Sequence, residues 1–267
     1  MATNTPSPDN VTFGRGKVMF APFLTTAAPV QYFHFGNCDT FSIGVAPETV
    51  DMTNFMTETS APYKSVVKKV NIPIKIGGFE FASFNNKINF MGDQTSYTQA
   101  AATITGETLA SAAITGLKGS FFRTTKRSIS GLIMTQSSTT MVSGTDYTIE
   151  DASAGVVKIL PTGSTITDGT ALLLTYAHAA ITGAGLTVVR AAVDTSVEGR
   201  LLFLPDNTTG PDNEVLVWNA TLRPDGDIGF IGENDFLKWN LTGVVQDDSA
   251  GTYGGSTACP YFQITTR

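Results

Sequence analysis

The sequence predicts an all-β protein with one short helix, and three observations carry that prediction. Thr occurs 39 times, more than twice the 17 Lys and Arg together. It is β-branched and polar, which suits strands whose outer face meets water or another subunit. The chain is punctuated by 26 Gly and 12 Pro, the residues that end strands and make turns. Several segments alternate apolar and polar residues with period 2, the repeat of a half-buried strand. At 267 residues the chain is long enough to bury a sizeable core, in one large β domain or in a domain carrying an insertion.

Read in order, residues 1–10 are polar, with no basic start or apolar run, and predict a flexible arm rather than a signal peptide. Residues 31–45 read as strand, with Tyr32, Phe33, Phe35, Phe41, Ile43 and Val45 as its apolar positions. Val70, Ile72, Ile74 and Ile76 alternate on one face. Gly77 and Gly78 then predict a turn, and Phe79 and Phe81 resume the pattern as a hairpin whose Pro73 confines it to an edge or irregular position. The best helix runs over 84–91, with Asn85 or Asn86 as N-cap and Gly92 as terminator. The Ala- and Thr-rich stretch 98–112 reads as strand or irregular. Segments 144–150, 156–160 and 171–176 predict three short strands in a β-meander. Residues 214–222 and 236–245 alternate again across the turn Pro224-Asp225-Gly226-Asp227.

Charge and motifs narrow the function. A net charge of −6 argues against a globally basic nucleic-acid binder. Cys38 and Cys259 are too few and too far apart for a disulfide scaffold or a zinc site, and both read as reduced thiols. The uncharged run 171–189 is divided by Gly183 and Gly185 into strand-length pieces, so a membrane span is not expected. His34 and His178 lack a nucleophile motif or metal-ligand companions. Gly14-Arg15-Gly16-Lys17 has the wrong spacing for a phosphate loop, and Gly226, Gly229 and Gly232 miss the dinucleotide pattern. The acidic turns do not follow the ligand order of a calcium loop. The expectation is a non-enzymatic protein with no cofactor and no metal. Charge is nevertheless uneven: Lys64, Lys68, Lys69 and Lys75 sit in a stretch without acids, whereas 205–248 holds nine acids against Arg223 and Lys238. Solvated strand faces or complementary self-association surfaces both fit that asymmetry.

Four stretches, in order along the chain, resemble the major tail tube protein family of long-tailed bacteriophages. They are 11–20 with Tyr32-Phe33-His34-Phe35-Gly36-Asn37-Cys38-Asp39-Thr40-Phe41-Ser42-Ile43; the hairpin 69–84 leading to a helix near Asn86; 146–150 through 166–170; and Val197-Glu198-Gly199-Arg200-Leu201-Leu202-Phe203 with 221–232 and 239–245. The tail 249–267 extends past the family's usual end, and 98–117 has no counterpart in it. The resemblance implies a β-sandwich or barrel-like core with a flanking helix, stacked hexameric rings, and a sheet continued between subunits around a channel. It implies a partition into a flexible arm (1–12), a tube core (13–117 and 191–248), an inserted β segment (118–190) and a C-terminal extension (249–267). It also implies a virion protein assembled in the host cytoplasm. Its partners are then further copies of itself and the tape-measure, terminator and baseplate proteins, with DNA passing through the lumen unbound and no membrane contact. A neutral or acidic lumen suits that passage, because clustered lysines would retain phosphate.

Residues 51–63 correspond to the family's long stacking loop. Asp51, Met52, Phe55, Met56 and Tyr63 are the candidate inter-ring contacts. Head-to-tail stacking needs two different faces. Lys64, Lys68, Lys69 and Lys75 are candidates for one, and Asp225, Asp227, Glu233 and Asp235 for the other. Two other readings fit the composition: another virion tail or baseplate β protein, and a carbohydrate-binding β-sandwich with Trp218, Trp239 or Tyr253 exposed to stack on sugar.

Overall fold

A computed structural model describes residues 11–12, 14–22, 31–56, 61–109, 117–183, 185–207, 209–232 and 236–267. The predicted N-terminal arm therefore lies almost wholly outside the described residues. The chain forms strands β1 (Gly16–Pro22), β2 (Phe33–His34), β3 (Cys38–Ile43), β4 (Ala46–Asn54), β5 (Ala61–Asn71) and β6 (Pro73–Gly78), helix α1 (Ser83–Asn89) and β7 (Asp93–Ser96). Next come β8 (Ala102–Thr108), β9 (Phe121–Arg123), β10 (Ile129–Gln136), β11 (Thr139–Thr140), β12 (Tyr147–Asp151), β13 (Val156–Ile159), β14 (Leu172–His178) and β15 (Thr187–Arg190). The last four are β16 (Val197–Pro205), β17 (Asn213–Pro224), β18 (Trp239–Val245) and β19 (Phe262–Thr266). The all-β class with a single short helix is thus as the sequence predicts. The chain divides into two compact units, Met1–Gln94 with Val189–Arg267, and Thr95–Val188.

The first unit is built on an antiparallel sheet ordered β2-β1-β16-β17-β18-β6-β3, with β19 pairing the first half of β17. Its inward positions repeat every second residue: Val18 and Phe20 on β1, Ile74 and Ile76 on β6, Trp239 and Leu241 on β18 are all essentially inaccessible. With Leu201, Val217, Leu222 and Ile88 of the helix they form one core, and each such side chain contributes about 1.5–3 kcal/mol by leaving water. Phe41 on the last strand stacks on Phe203 of β16 at 5.2 Å between ring centres, so the sheet curls toward itself without closing into a barrel.

Three local expectations are corrected in this unit. Gly77 and Gly78 are not a turn; they are the end of β6, paired with Asn240 and Trp239. A Cβ on Gly78 would lie 2.5 Å from the Trp239 ring, so the glycine admits the indole rather than bending the chain. Pro73 is not on an edge strand. β6 runs between β18 and β3, and Pro73 is tolerated because it is the first residue of the strand. The helix begins one residue earlier than the pattern suggests, after Ala82, with no side-chain cap. Asn85 instead points inward, where its amide donates to the carbonyls of Phe35 and Glu80, both at 2.8 Å. The helix also ends earlier than expected, at Asn89: Met91, not Gly92, takes the left-handed conformation that terminates it, φ +45°, and the Gly92 N–H then bonds to the Lys87 carbonyl at 2.8 Å.

The second unit is a sandwich of a four-stranded sheet, β11-β10-β14-β8, and a three-stranded sheet, β12-β13-β9. The predicted meander is therefore wrong in its third strand. β14 pairs with β10 and β8 instead of β13, because Leu172, Leu174 and Tyr176 on its inner face pack against Val157 and Ile159 of the opposite sheet. This unit starts at Thr95, not at 118, since β8 within the unassigned stretch completes the four-stranded sheet. Residues 110–116 of that stretch lie outside the described residues.

Candidate functional site

Of residues 51–63, expected as a loop, 51–54 and 61–63 belong to the strands of a long two-stranded antiparallel ribbon, with Phe55 and Met56 just beyond its paired region. β4 and β5 pair from Ala46↔Asn71 to Asn54↔Ala61, in a sheet that has no third strand among the described residues. The register slips twice, leaving Lys68 and Tyr63 as the extra residues on β5; such bulges sharpen the twist of a ribbon. Residues 57–60 lie outside the described residues.

A strand packed on its own domain hides every second side chain, and this arm does not. Val50 pairs with Val66 on one face, while Val67 opposite Thr49 and Val70 opposite Pro47 belong to the other. All four valines are exposed, with Met52 and Tyr63. Beyond the paired region Phe55 and Met56 are 85% and 82% exposed. Val50, Met52, Phe55 and Val66 line an open groove of ≈490 Å³ whose polar members are Asp51, Thr53 and Lys64. An isolated two-stranded ribbon is marginal in water, and a contiguous apolar surface of this kind marks an interaction site.

Lys64, Lys68 and Lys69 are all exposed on β5, Lys64 opposite Met52 and Lys69 opposite Glu48. Lys75 is exposed on β6 of the main sheet, opposite Thr242, and so is not on the arm. Asp225 and Asp227 are exposed in the β17–β18 connection, at a turn where Gly226 takes the left-handed conformation, φ +86°. Glu233 and Asp235 lie outside the described residues. The same connection holds three large apolar side chains that the sequence reading does not single out. Phe230, Ile231 and Phe236 are 68%, 96% and 89% exposed, and Phe230 stacks on Phe90 just past the helix at 6.0 Å. The signal that could have found them is three bulky apolar residues in a Gly- and acid-rich connection, where turns are ordinarily polar.

A cavity of ≈880 Å³ on the first unit is the open mouth of the curled sheet. Phe41, Ile43, Phe203, Val215 and Phe262 line it, with Arg15, Asp39, Asn207 and Asn213 among its polar residues. Lys238 lies 2.6 Å from the Asp39 carboxylate and holds it below the usual carboxylate range. Cys38 also borders this mouth. Burial, then the charges of Asp39 and Glu80, push its thiol up to about 11, so at neutral pH it is a thiol and a poor nucleophile. Both cysteines are free. His34 is exposed and its Nδ1 accepts the Gly36 N–H at 2.8 Å. His178 is buried in the second unit with neither ring nitrogen hydrogen-bonded. Among the described residues no three of His, Cys, Asp and Glu converge as a metal site would need, and no helix is long and apolar enough to cross a membrane. Trp239, a candidate sugar platform, is fully buried, with its Nε1 donating to the Glu80 carbonyl at 2.8 Å. Trp218 and Tyr253 are half-buried.

No curated protein matches the chain. Residues 11–265 match the model of a family described as protein of unknown function UCP028589, and the chain belongs to that family.

Proposed function

We propose that this protein is a structural subunit that polymerises with copies of itself, and that the polymer is a phage tail tube. The arm β4–β5 carries the proposal. A two-stranded ribbon with apolar side chains on both faces, ending in Phe55 and Met56, needs a protein surface to cover it. The resemblance to tail tube proteins supplies the form of the polymer: stacked rings, six-fold by analogy, with a central channel for the genome. By that resemblance the arm corresponds to the family's stacking loop. The net charge of −6 is compatible with a channel that does not hold DNA.

Concentrated wild-type protein should form uniform hollow tubes in negative-stain micrographs. Phe55→Asp should leave a folded monomer that makes none, because it places a charge where desolvation is required. A wild-type protein that stays monomeric at every concentration refutes the polymer. Normal-length tubes from Phe55→Asp would refute the role of the arm. Burial of Trp239 weighs against the sugar-binding alternative, which glycan-array binding by the monomer would revive.

A further inference from the structure

We infer that the arm β4–β5 is a lever that pivots as one piece at a joint made by Gly44 and Val45 on one strand and Ile72 and Pro73 on the other. The inference goes beyond the polymer reading and holds whether or not the protein polymerises. Pairing of β3 with β6 stops at Ile43↔Ile74, and pairing of β4 with β5 starts at Ala46↔Asn71. Both strands are therefore interrupted at the same level, yet the register is kept, since an equal length of chain separates the two pairs on each strand. The arm continues the ladder of the main sheet across a gap.

The gap is short of main-chain bonds. Opposed residues of an antiparallel pair exchange two hydrogen bonds where they bond at all. Gly44 donates its N–H to the Pro73 carbonyl at 3.0 Å, but Pro73 has no N–H to return. Gly44 has no side chain to pack across the gap, where a Cβ would meet only the Pro73 ring, at 3.4 Å. Val45 beside it is exposed.

The support of the sheet ends at the same level. β18 makes its last pair with β6 at Val244↔Pro73, and the Val245 N–H then bonds to the Ile72 carbonyl at 2.9 Å. Ile72 is buried in the core, whereas Asn71 and Val70 are exposed. Ile72 is thus the fixed end, and the arm beyond it is a cantilever. The bulges of the arm keep paired residues on both sides, so they twist the ribbon without freeing it. A few residues at element ends that absorb the dihedral change are what a hinge requires. The 11 residues of β5 make a lever of about 37 Å, so a rotation of about 20° moves its end by about 13 Å. Uncovered, the arm samples several directions, and a surface that fits one of them selects it.

Pulsed distance measurements between nitroxide labels test the pivot. The full-length protein carries Cys38→Ser and Cys259→Ser and is kept dilute enough to be monomeric. One label sits at Asn240→Cys on β18. The second sits at Lys17→Cys in the main sheet, at Lys69→Cys near the joint, or at Lys64→Cys beyond the bulge at Lys68; all four positions are exposed. Both arm pairs should give broader distance distributions than the pair within the sheet. The excess width at Lys64 should be roughly 2.5 times that at Lys69, in proportion to distance from Ile72. Arm pairs as narrow as the sheet pair would overturn the inference. So would a narrow distribution at Lys69 with a broad one at Lys64, which puts the bending at the bulge.

Gly44→Thr with Pro73→Thr supplies the missing donor and a cross-strand side-chain pair. In that background both arm pairs should narrow to the width of the sheet pair. Unchanged widths in a variant that melts like the parent would overturn the joint as the pivot. If the locked variant does not fold, the three pairs in the parent background decide alone. None of these outcomes bears on whether the protein polymerises.

Discussion

Two hairpins of this molecule have similar local sequence and opposite fates. In the second unit, β12–β13 pairs Tyr147 with Ile159 and Ile149 with Val157, and buries Tyr147, Val157 and Ile159 completely. In the arm, β4–β5 pairs Val50 with Val66 and Met52 with Lys64, and leaves all of them exposed. Both are β-branched, antiparallel and bulged. The difference is what stands behind them. β13 is backed by β9 and faces a second sheet, whereas among the described residues the arm has neither. Alternation therefore says that a segment is a strand, but not whose core its apolar face will enter. When both faces of a ribbon carry apolar residues and neither is covered among the described residues, the pattern alone does not say what layer completes it; the proposed polymer supplies one.

Side-chain truncation sharpens this contrast most. Trp239→Ala should cost about 3–5 kcal/mol of stability, chiefly through the cavity it leaves, since the Glu80 carbonyl keeps the Asn85 amide as a donor. Val50→Ser or Val66→Ser should cost roughly 0.5 kcal/mol or less in the monomer. Urea unfolding of the full chain reads both. In assembly the rank should change: the arm substitutions should raise the critical concentration although they leave the monomer intact. A Val50→Ser monomer as unstable as Trp239→Ala would mean that the arm packs on its own chain, and the contrast would fail.

A second way to break the comparison is to loosen the covered hairpin. Asp146, immediately before β12, is 2% exposed. Its carboxylate accepts the N–H of Val142 at 2.7 Å and both the N–H and hydroxyl of Thr165, at 2.6 and 2.9 Å. These bonds, the Thr165 and Val142 backbone donors first, hold its carboxyl below the ordinary range. Because the folded-state pKa is lowered, the stabilisation is complete above the unfolded value near 3.9 and is lost as pH falls through the folded value. Asp146→Ala should cost on the order of 2 kcal/mol, since it strands buried donors, and Asn should not rescue because it offers one acceptor oxygen in place of two. Hydrogen exchange resolved along the chain should show the loss within 95–188, with the acid limb of that unit's stability flattened. Equal loss of protection in the arm would mean that the ribbon and the second unit open as one, and the contrast between them would collapse.

Much of the fold is readable in the sequence because its signals are local. Thr content, glycine punctuation and period-2 runs fix the class, and the alternation at Ile72, Ile74 and Ile76 correctly gives a buried face, whereas Val70, expected on that same face, is exposed on the arm. What fails depends on distant residues. Gly77-Gly78 looks like a turn until Trp239, far along the chain, is placed against it. Asn85 looks like a cap until the carbonyl of Phe35 arrives above it. Nearness in sequence suggests the third strand of the meander, whereas its inner face selects another sheet. At the candidate site, Met52, Phe55 and Met56 are visible as apolar residues out of place. Val66, Val67 and Val70 are not, because on paper they continue an ordinary strand. Phe230 and Ile231 are masked by the acidic turn that precedes them.

The smallest expected effect concerns a second carboxylate with a lowered pKa, and it separates the buried case from the exposed one. Asp39 meets Lys238 at 2.6 Å, but both side chains are about one-third exposed, at 35% and 37%. Water already solvates the pair, and holding two side chains in one geometry costs entropy, so Lys238→Ala should lower stability by less than about 1 kcal/mol. The sign is the same as at Asp146: the contribution is present above the ordinary carboxylate pKa and disappears as pH falls through the folded value. Salt distinguishes the two. At about 1 M salt the screening length shrinks to ~3 Å, so the Lys238→Ala difference should nearly vanish. The Asp146→Ala difference should persist, because the Val142 and Thr165 donors are hydrogen-bonded directly to its buried oxygens. A Lys238→Ala effect that survives high salt would place that pair in the core of the first unit and not at the rim of its mouth.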